Sequence, residues 1–248
     1  MQIADLLNTF PRRRPPISAA HKEIYADEYK DNRTGKNLIQ RASQWAESWM
    51  HRYLAASGRR HNPGEVLEIG AGSLNHLPYE EVGEAYDVIE PMAFLYEDSP
   101  NRGRVRNFYS DIRDIADDTQ YRRIISVAVL EHLEELPFTV VKSGLLLADG
   151  GVFQAGIPSE GGLLWGVGWR ATTGLSYRMR TGLSYGELMH HEHINDAGEI
   201  IAVVRHFFDK VEIKRFPLPT HHLSLYAYIH ATEPKRERCL EYFNQYLG

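Results

Sequence analysis

Three acids and two glycines define the chemistry that this chain is equipped to do. Val66-Leu67-Glu68-Ile69-Gly70-Ala71-Gly72 is a short apolar run broken by an acid and closed by two glycines. It reads as a buried strand ending in a tight loop. Gly70 and Gly72 lack a Cβ, so their backbone can take positive φ and approach a ligand closely, and the helix expected after them would offer unpaired N–H groups. A second acid, Glu90, ends the run Tyr86-Asp87-Val88-Ile89, about where a ribose would lie. Pro91 stops that strand. A third acid, Asp111, follows the alternating Val105-Arg106-Asn107-Phe108-Tyr109 and precedes Ile112. Glycine loop and acids together describe a cradle for a nucleoside-bearing cofactor.

The histidines form the second chemical group. His132 stands in Leu130-Glu131-His132-Leu133, directly after the apolar run Ile124–Val129. An imidazole titrates near neutral pH and is the natural side chain to take a proton from a hydroxyl or an amine. Glu131 reads either as an acid in the first turn of a helix or as an acid on the cofactor side. His190-His191-Glu192-His193 carries metal-ligand types, but adjacent residues rarely point at one ion, so no metal is expected. Glu192 and His193 read instead as a border of an acceptor pocket.

These residues need a frame. Val152–Ile157 gives a fifth strand, preceded by a helix carrying Leu136, Val140, Val141 and Leu145 and closed by Gly150. Strands alternating with helices at this spacing imply a parallel, doubly wound sheet, whose ligands bind at the carboxyl ends of the strands. Residues 159–191 are rich in glycine, aromatic and basic residues without clean periodicity, which suits a lid or cap. Asn195 or Asp196 caps a helix carrying Ile200, Ile201, Val204 and Phe207 inward. Val211–Phe216 and Leu223–Ile229 form an antiparallel pair, and Leu240, Phe243 and Leu247 mark a short terminal helix. Near the start, Pro11-Arg12-Arg13-Arg14-Pro15-Pro16 is a rigid basic run, read as a solvated arm or as a contact for an anion. Ile24, Tyr25 and Tyr29 suggest a short helix, and a stripe from Leu38 through Trp45, Trp49 and Tyr53 a longer one ending near Gly58. The expected division is a helical extension over 1–62, a main domain over 63–232 with its cap at about 159–191, and a tail over 233–248.

Composition narrows the field. The chain has 248 residues and a formal charge of −5, which gives no global attraction to nucleic acid. One cysteine, Cys239, excludes an intrachain disulfide and fits a reducing, cytoplasmic setting. No stretch approaches the roughly 18 uninterrupted apolar residues of a membrane span. The segment Met1 to Phe10 lacks a signal-peptide pattern.

In combination, V-L-E-I-G-A-G at strand one, the acid closing strand two, V-L-E-H-L after strand four, L-A-D-G-G before strand five and the Glu192-His193-Ile194-Asn195 helix entry resemble a class I S-adenosylmethionine-dependent methyltransferase. The resemblance covers roughly residues 64–231. It implies an α/β fold: a Rossmann-like, doubly wound, seven-stranded sheet, mostly parallel, with a closing antiparallel pair, a helical N-terminal extension and a cap after strand five. It further implies S-adenosyl-L-methionine as cofactor, with Glu68, Gly70 and Gly72 at the methionine part, Glu90 and its neighbour Pro91 at the ribose, and Asp111 and Ile112 at the adenine. Glu131 would stand beside them. His132 would lie beside the methyl, with His193 and Glu192 at the acceptor, a small molecule or a sugar or glycan methylated on oxygen or nitrogen. Two positions depart from the pattern: Asn75 where a third glycine often stands, and Arg122-Arg123 where many members carry an aspartate. An NAD-dependent oxidoreductase and a non-catalytic S-adenosylmethionine binder remain as alternatives, and a homodimer is left open.

Overall fold

Seven strands form one sheet: β1 (Val66–Ile69), β2 (Tyr86–Ile89), β3 (Asn107–Tyr109), β4 (Tyr121–Val127), β5 (Leu147–Pro158), β6 (Phe208–Pro217) and β7 (Ser224–Pro234). Their order is β3-β2-β1-β4-β5-β7-β6. The first five run parallel, and β7 is antiparallel to both β5 and β6. The computed structural model describes residues 2–22, 24, 48–58, 64–81 and 85–247. Tyr25, Tyr29 and the stripe from Leu38 through Trp45 lie outside these residues.

Because successive strand residues point to opposite faces, each strand serves two layers. Leu67, Ile69, Ile124, Phe153, Ala155, Ile157, Ala227 and Ile229 share one apolar core with Leu6, Phe138, Val140, Ile200 and Phe207. Those partners come from helices α1 (Ile3–Leu7), α3 (Leu136–Leu146) and α7 (Ala197–Phe207). The opposite face carries Val66, Val88, Ile125 and Tyr228 and is covered by Leu54, Leu74 and Leu77. Leu54 belongs to α2, which comprises the helical residues 48–58. Met50 and Leu54 both approach within 3.1 Å of where a Cβ on Gly156 would stand, so α2 packs closely on β5 at this glycine.

Several elements differ from expectation. Among the described residues no α-helix follows the glycine loop: β1 runs into turns and one 3₁₀ turn, Leu77–Tyr79. Positive φ at Gly70, Gly72 and Leu74 coils the chain back before a helix can start. Helix α3 ends at Leu146 rather than Gly150, because β5 already begins at Leu147; Gly150, at φ +71°, lies inside that strand where its register against β4 shifts. Arg122 and Arg123 lie within β4, and that strand stops at Val127, where Ala128 takes φ +54°. The stretch 159–191 is helical: α4 (Leu163–Trp169), a π turn (Arg170–Gly174), α5 (Leu175–Thr181) and α6 (Tyr185–Glu192).

The remaining helices follow their caps. Asp196 accepts the Glu199 amide, and the Glu199 side chain accepts the Asp196 amide, a reciprocal box that starts α7. The expected terminal helix is present as α8 (Arg236–Leu247), which turns Cys239 into the core and leaves Leu240 exposed. The basic run is neither free nor solvated throughout. Arg12 forks onto Glu199 with both contacts at 2.7 Å and donates to the Ile194 carbonyl at 2.5 Å, binding the arm to the entry of α7.

Candidate functional site

A cleft of about 1480 Å³ opens along the carboxyl ends of β1, β2, β3 and β4. At β1, the glycine loop forms its floor. Gly70 is fixed as glycine twice over: its φ is +70°, and a Cβ would meet the Val129 side chain at 2.4 Å. Glu68 lines the wall but is only 2% exposed and accepts the Tyr86 hydroxyl at 2.7 Å. Burial pushes its carboxyl up to about 8, against the Tyr86 hydrogen bond.

At β2, the Glu90 carboxylate is held by backbone. Oε2 accepts the Gly72 N–H at 2.7 Å and Oε1 the Met92 N–H at 3.0 Å. One acid therefore joins the end of β2 to the glycine loop, and each oxygen keeps a lone pair for a ligand. Pro91 and Met92 continue this wall. At β3, Ile112 is buried and lines the cleft, while Asp111 caps a 3₁₀ turn by accepting the Arg113 N–H at 2.8 Å and pairs with that guanidinium at 2.9 Å.

At β4, His132 closes the cleft. Its Nδ1 lies 2.7 Å from the Glu192 carbonyl, an atom that can only accept, so Nδ1 carries the proton and the lone pair of the neutral ring is on Nε2. Glu192 lines the same wall and meets Arg14 at 3.3 Å, drawing the N-terminal arm over the opening. Glu131 and His193 stand behind this wall. Glu131 is 2% exposed, its Oε2 has no hydrogen-bond partner, and burial raises its pKa. His193 packs edge-on against His132 at 4.8 Å and bonds Glu160 through Nδ1 at 2.5 Å. Although burial opposes it, the Glu160 bond and the surrounding carboxylates raise the His193 pKa.

The histidine run is thus dispersed. His191 bonds the Pro15 carbonyl at 2.5 Å, while His190 and His193 border a second cleft of about 460 Å³ with Glu160, Trp165 and Trp169. Among the described residues no group of histidine, cysteine and acids converges as a metal site. Nor is any described helix long and apolar enough to cross a membrane.

Among the wall residues that escaped the sequence reading are two histidines. His51 from α2 and His76 from the loop after β1 both line the large cleft, and both are buried. The only local signals were a histidine between the stripe residues Trp49 and Tyr53, and the four-residue spacing of His76 and Glu80.

No protein-family model matches the sequence, and no curated protein matches it. Solved structures do match the fold. An S-adenosylmethionine-dependent methyltransferase from Thermotoga maritima aligns over 86% of this chain and 98% of its own, with a TM-score of 0.59 at 14% identity. The N-methyltransferase NodS from Bradyrhizobium japonicum, solved with S-adenosylhomocysteine, aligns over 87% and 100%, with a TM-score of 0.54 at 16% identity. The plantazolicin methyltransferase BpumL, also solved with S-adenosylhomocysteine, covers 93% and 95%, with a TM-score of 0.53 at 12% identity. The fold of this chain is that of the S-adenosylmethionine-dependent methyltransferases.

Proposed function

We propose that the chain binds S-adenosyl-L-methionine and transfers its methyl group to an oxygen or nitrogen of a small molecule or glycan. The observation that carries this reading is Glu90, a carboxylate aimed into the cleft with both oxygens pinned by backbone N–H groups. Two ribose hydroxyls are the ligand such a carboxylate suits, through charge-assisted bonds. The rest of the cleft fits the same molecule. Ile112 offers an apolar wall to a base, Asp111 an acceptor for its amino group, and the loop of Gly70 and Gly72 room for a close approach.

The bound cofactor supplies an activated methyl on a sulfonium, which leaves the protein mainly to position the acceptor. His132 Nε2 is the proton acceptor of this reading, since Nδ1 is committed to the Glu192 carbonyl. His193 orients the His132 ring and holds its own proton against Glu160. The helices between 159 and 191 cover the acceptor, and the second cleft between Trp165 and Trp169 suits a ring-bearing, polar acceptor. Replacing residues 165–177 by a glycine-serine linker is expected to abolish methyl transfer and leave S-adenosylhomocysteine affinity within about threefold. Loss of both together would place the segment in the cofactor site instead.

Calorimetric titration tests the central claim. Glu90→Ala is expected to weaken S-adenosylhomocysteine binding at least about tenfold, through the loss of two bonds to a charged acceptor. Unchanged affinity would remove the assignment. Tighter binding of NAD than of S-adenosylhomocysteine by the unaltered chain would favour the oxidoreductase alternative.

A further inference from the structure

We propose that the outer face of the helical cap docks on an anionic lipid bilayer, with a row of aliphatic side chains entering the headgroup layer and arginines beside it meeting lipid phosphates. Helix α4, the π turn and α5 follow one another without a break from Leu163 to Thr181. Leu163, Val167, Ala171, Leu175 and Met179 recur there at every fourth position, and all five are exposed. The four larger ones are 54% to 80% exposed. Two residues on from each stand Trp165, Trp169, Thr173 and Tyr177, which belong to the opposite side, since two residues turn an α-helix by about 200°. Tyr177 is buried, Trp165 packs edge-on against Tyr226 at 5.7 Å, and Trp169 meets Tyr185 at 5.8 Å.

Spacing by four does not by itself hold a face. In an α-helix every fourth position gains about 40°, so four such steps would carry Met179 about 160° away from Leu163. The π turn Arg170–Gly174, with its wider hydrogen-bonded ring, turns less per residue and takes back part of that drift. Met179 after the turn is accordingly as open to solvent as Leu163 before it, while Tyr177 stays inside. Helix α4 also packs against the turn His221–Leu223, which brings the exposed Leu223 beside the row.

A continuous exposed aliphatic row marks a surface that something covers, and the charges beside it decide what. Arg170 and Arg178 are exposed and form no ion pair among the described residues. Although the chain as a whole carries −5, no acid occurs from Gly161 to Gly186 or from Ile213 to Thr232. The acids that bracket the cap are engaged elsewhere: Glu160 bonds His193, and Glu187 accepts the Ser18 N–H at 2.7 Å. A second copy docked on this face would bring the same arginines to the seam and no acid from its own cap to receive them. An anionic bilayer supplies both halves, an acyl boundary for the aliphatic row and phosphates for the guanidinium groups. The inner side of the same helix borders the second cleft through Trp165 and Trp169, so a docked chain holds that cleft beside the headgroups. Lipid binding of this kind needs no ligand in the large cleft and is separable from the methyl-transfer reading.

Vesicle flotation of the full chain tests this. The unaltered protein should bind phosphatidylcholine vesicles containing about one third phosphatidylglycerol at least about tenfold more tightly than vesicles of phosphatidylcholine alone. Raising the salt from about 0.1 M to about 0.5 M should remove most of that advantage. Arg178→Gln should weaken binding to the anionic vesicles about fivefold. Leu163→Ser combined with Met179→Ser should weaken it at least about tenfold through the loss of buried hydrocarbon, with the thermal midpoint of the protein unchanged. Leu240→Ser, at an exposed leucine on α8, should leave it unaltered. Failure of the unaltered chain to bind anionic vesicles, equal binding to both kinds, or equal losses from Leu240→Ser and the cap variant would overturn the inference. Sedimentation without lipid supplies a further outcome: a dimer that the cap variant dissociates would make this face a contact between copies and overturn it as well.

Discussion

The two faces of the sheet differ in how they are filled across β4, β5 and β7. On the side of α1, α3 and α7, side chains such as Phe153, Ile157, Phe207 and Ile229 are fully buried among other hydrocarbons. On the side of α2, the same strands present Arg123, Gln154, Tyr228 and His230. Arg123 reaches Glu80, Gln154 at 2.6 Å and the Leu54 carbonyl at 3.0 Å; Gln154 continues to Ser57 at 3.0 Å, and Tyr228 bonds both Ser57 and His230. Apolar contact is non-directional and tolerates small shifts, whereas a hydrogen-bonded network fixes angles and protonation states. The difference follows the cleft. His51 and His76 extend the polar network into the wall of the cleft, and Glu68 shares its face with Val66 and Arg123.

The sharpest way to separate the faces is to damage each by a similar amount. Arg123→Met leaves Glu80 as a buried charge without its cation, a loss of about 3–5 kcal/mol. Phe207→Ala opens a cavity in the other layer, also about 3–5 kcal/mol. Denaturant unfolding across pH distinguishes them. Glu80 has a folded pKa of about 2, below its ordinary 4.5, so its contribution is complete above 4.5 and is lost as pH falls toward 2. The Arg123→Met deficit should shrink over that range and the Phe207→Ala deficit should not. Equal behaviour would mean that the network adds nothing beyond packing.

Glu68→Gln probes the polar face in the other direction and with a smaller effect. The folded pKa of Glu68 is raised to about 8 from 4.5, so the stability it confers is present below 4.5 and lost as pH rises through 8. A glutamine can still accept the Tyr86 hydroxyl and does not titrate. The variant should gain on the unaltered protein by a few kcal/mol between about pH 5 and 8, read as a rising difference in urea midpoint. A flat difference would show that Glu68 is ionised in the folded chain.

How much of this was legible in the sequence depends on the span of the interactions. β1, β2 and the acids at their ends could be read directly, since apolar runs, glycines and a following proline act within a few residues. The antiparallel pair β6 and β7 followed from a connection too short for anything else. Asp196 and Glu199 announced α7 by a local box. The polar face could not be read, because Arg123 meets Glu80 across 43 positions and Gln154 meets Ser57 across 97. The docked arm is similar: Arg12 and Glu199 are 187 apart, so a basic run between prolines carries no mark of its partner. The missing helix after the loop is a subtler case, in which positive φ at Leu74 overrides a pattern that favours helix.

The smallest effect tests whether the network is cooperative. Tyr228 is 3% exposed, and its hydroxyl meets Ser57 Oγ at 2.8 Å and His230 Nδ1 at 3.1 Å. Tyr228→Phe keeps the ring, which packs edge-on against Tyr53 at 4.7 Å, and removes the hydroxyl alone. A single neutral hydrogen bond contributes about 1 kcal/mol, and that is the loss expected if the network is a sum of pairs. Gln154 also donates to Ser57, at 3.0 Å, so the serine is not orphaned and no larger penalty is due from it. A loss near 1 kcal/mol that adds to that of Gln154→Leu in the double variant would describe independent bonds. A double variant less destabilised than the sum would show coupling through Ser57, the behaviour that distinguishes this face from the apolar one, where distant truncations add.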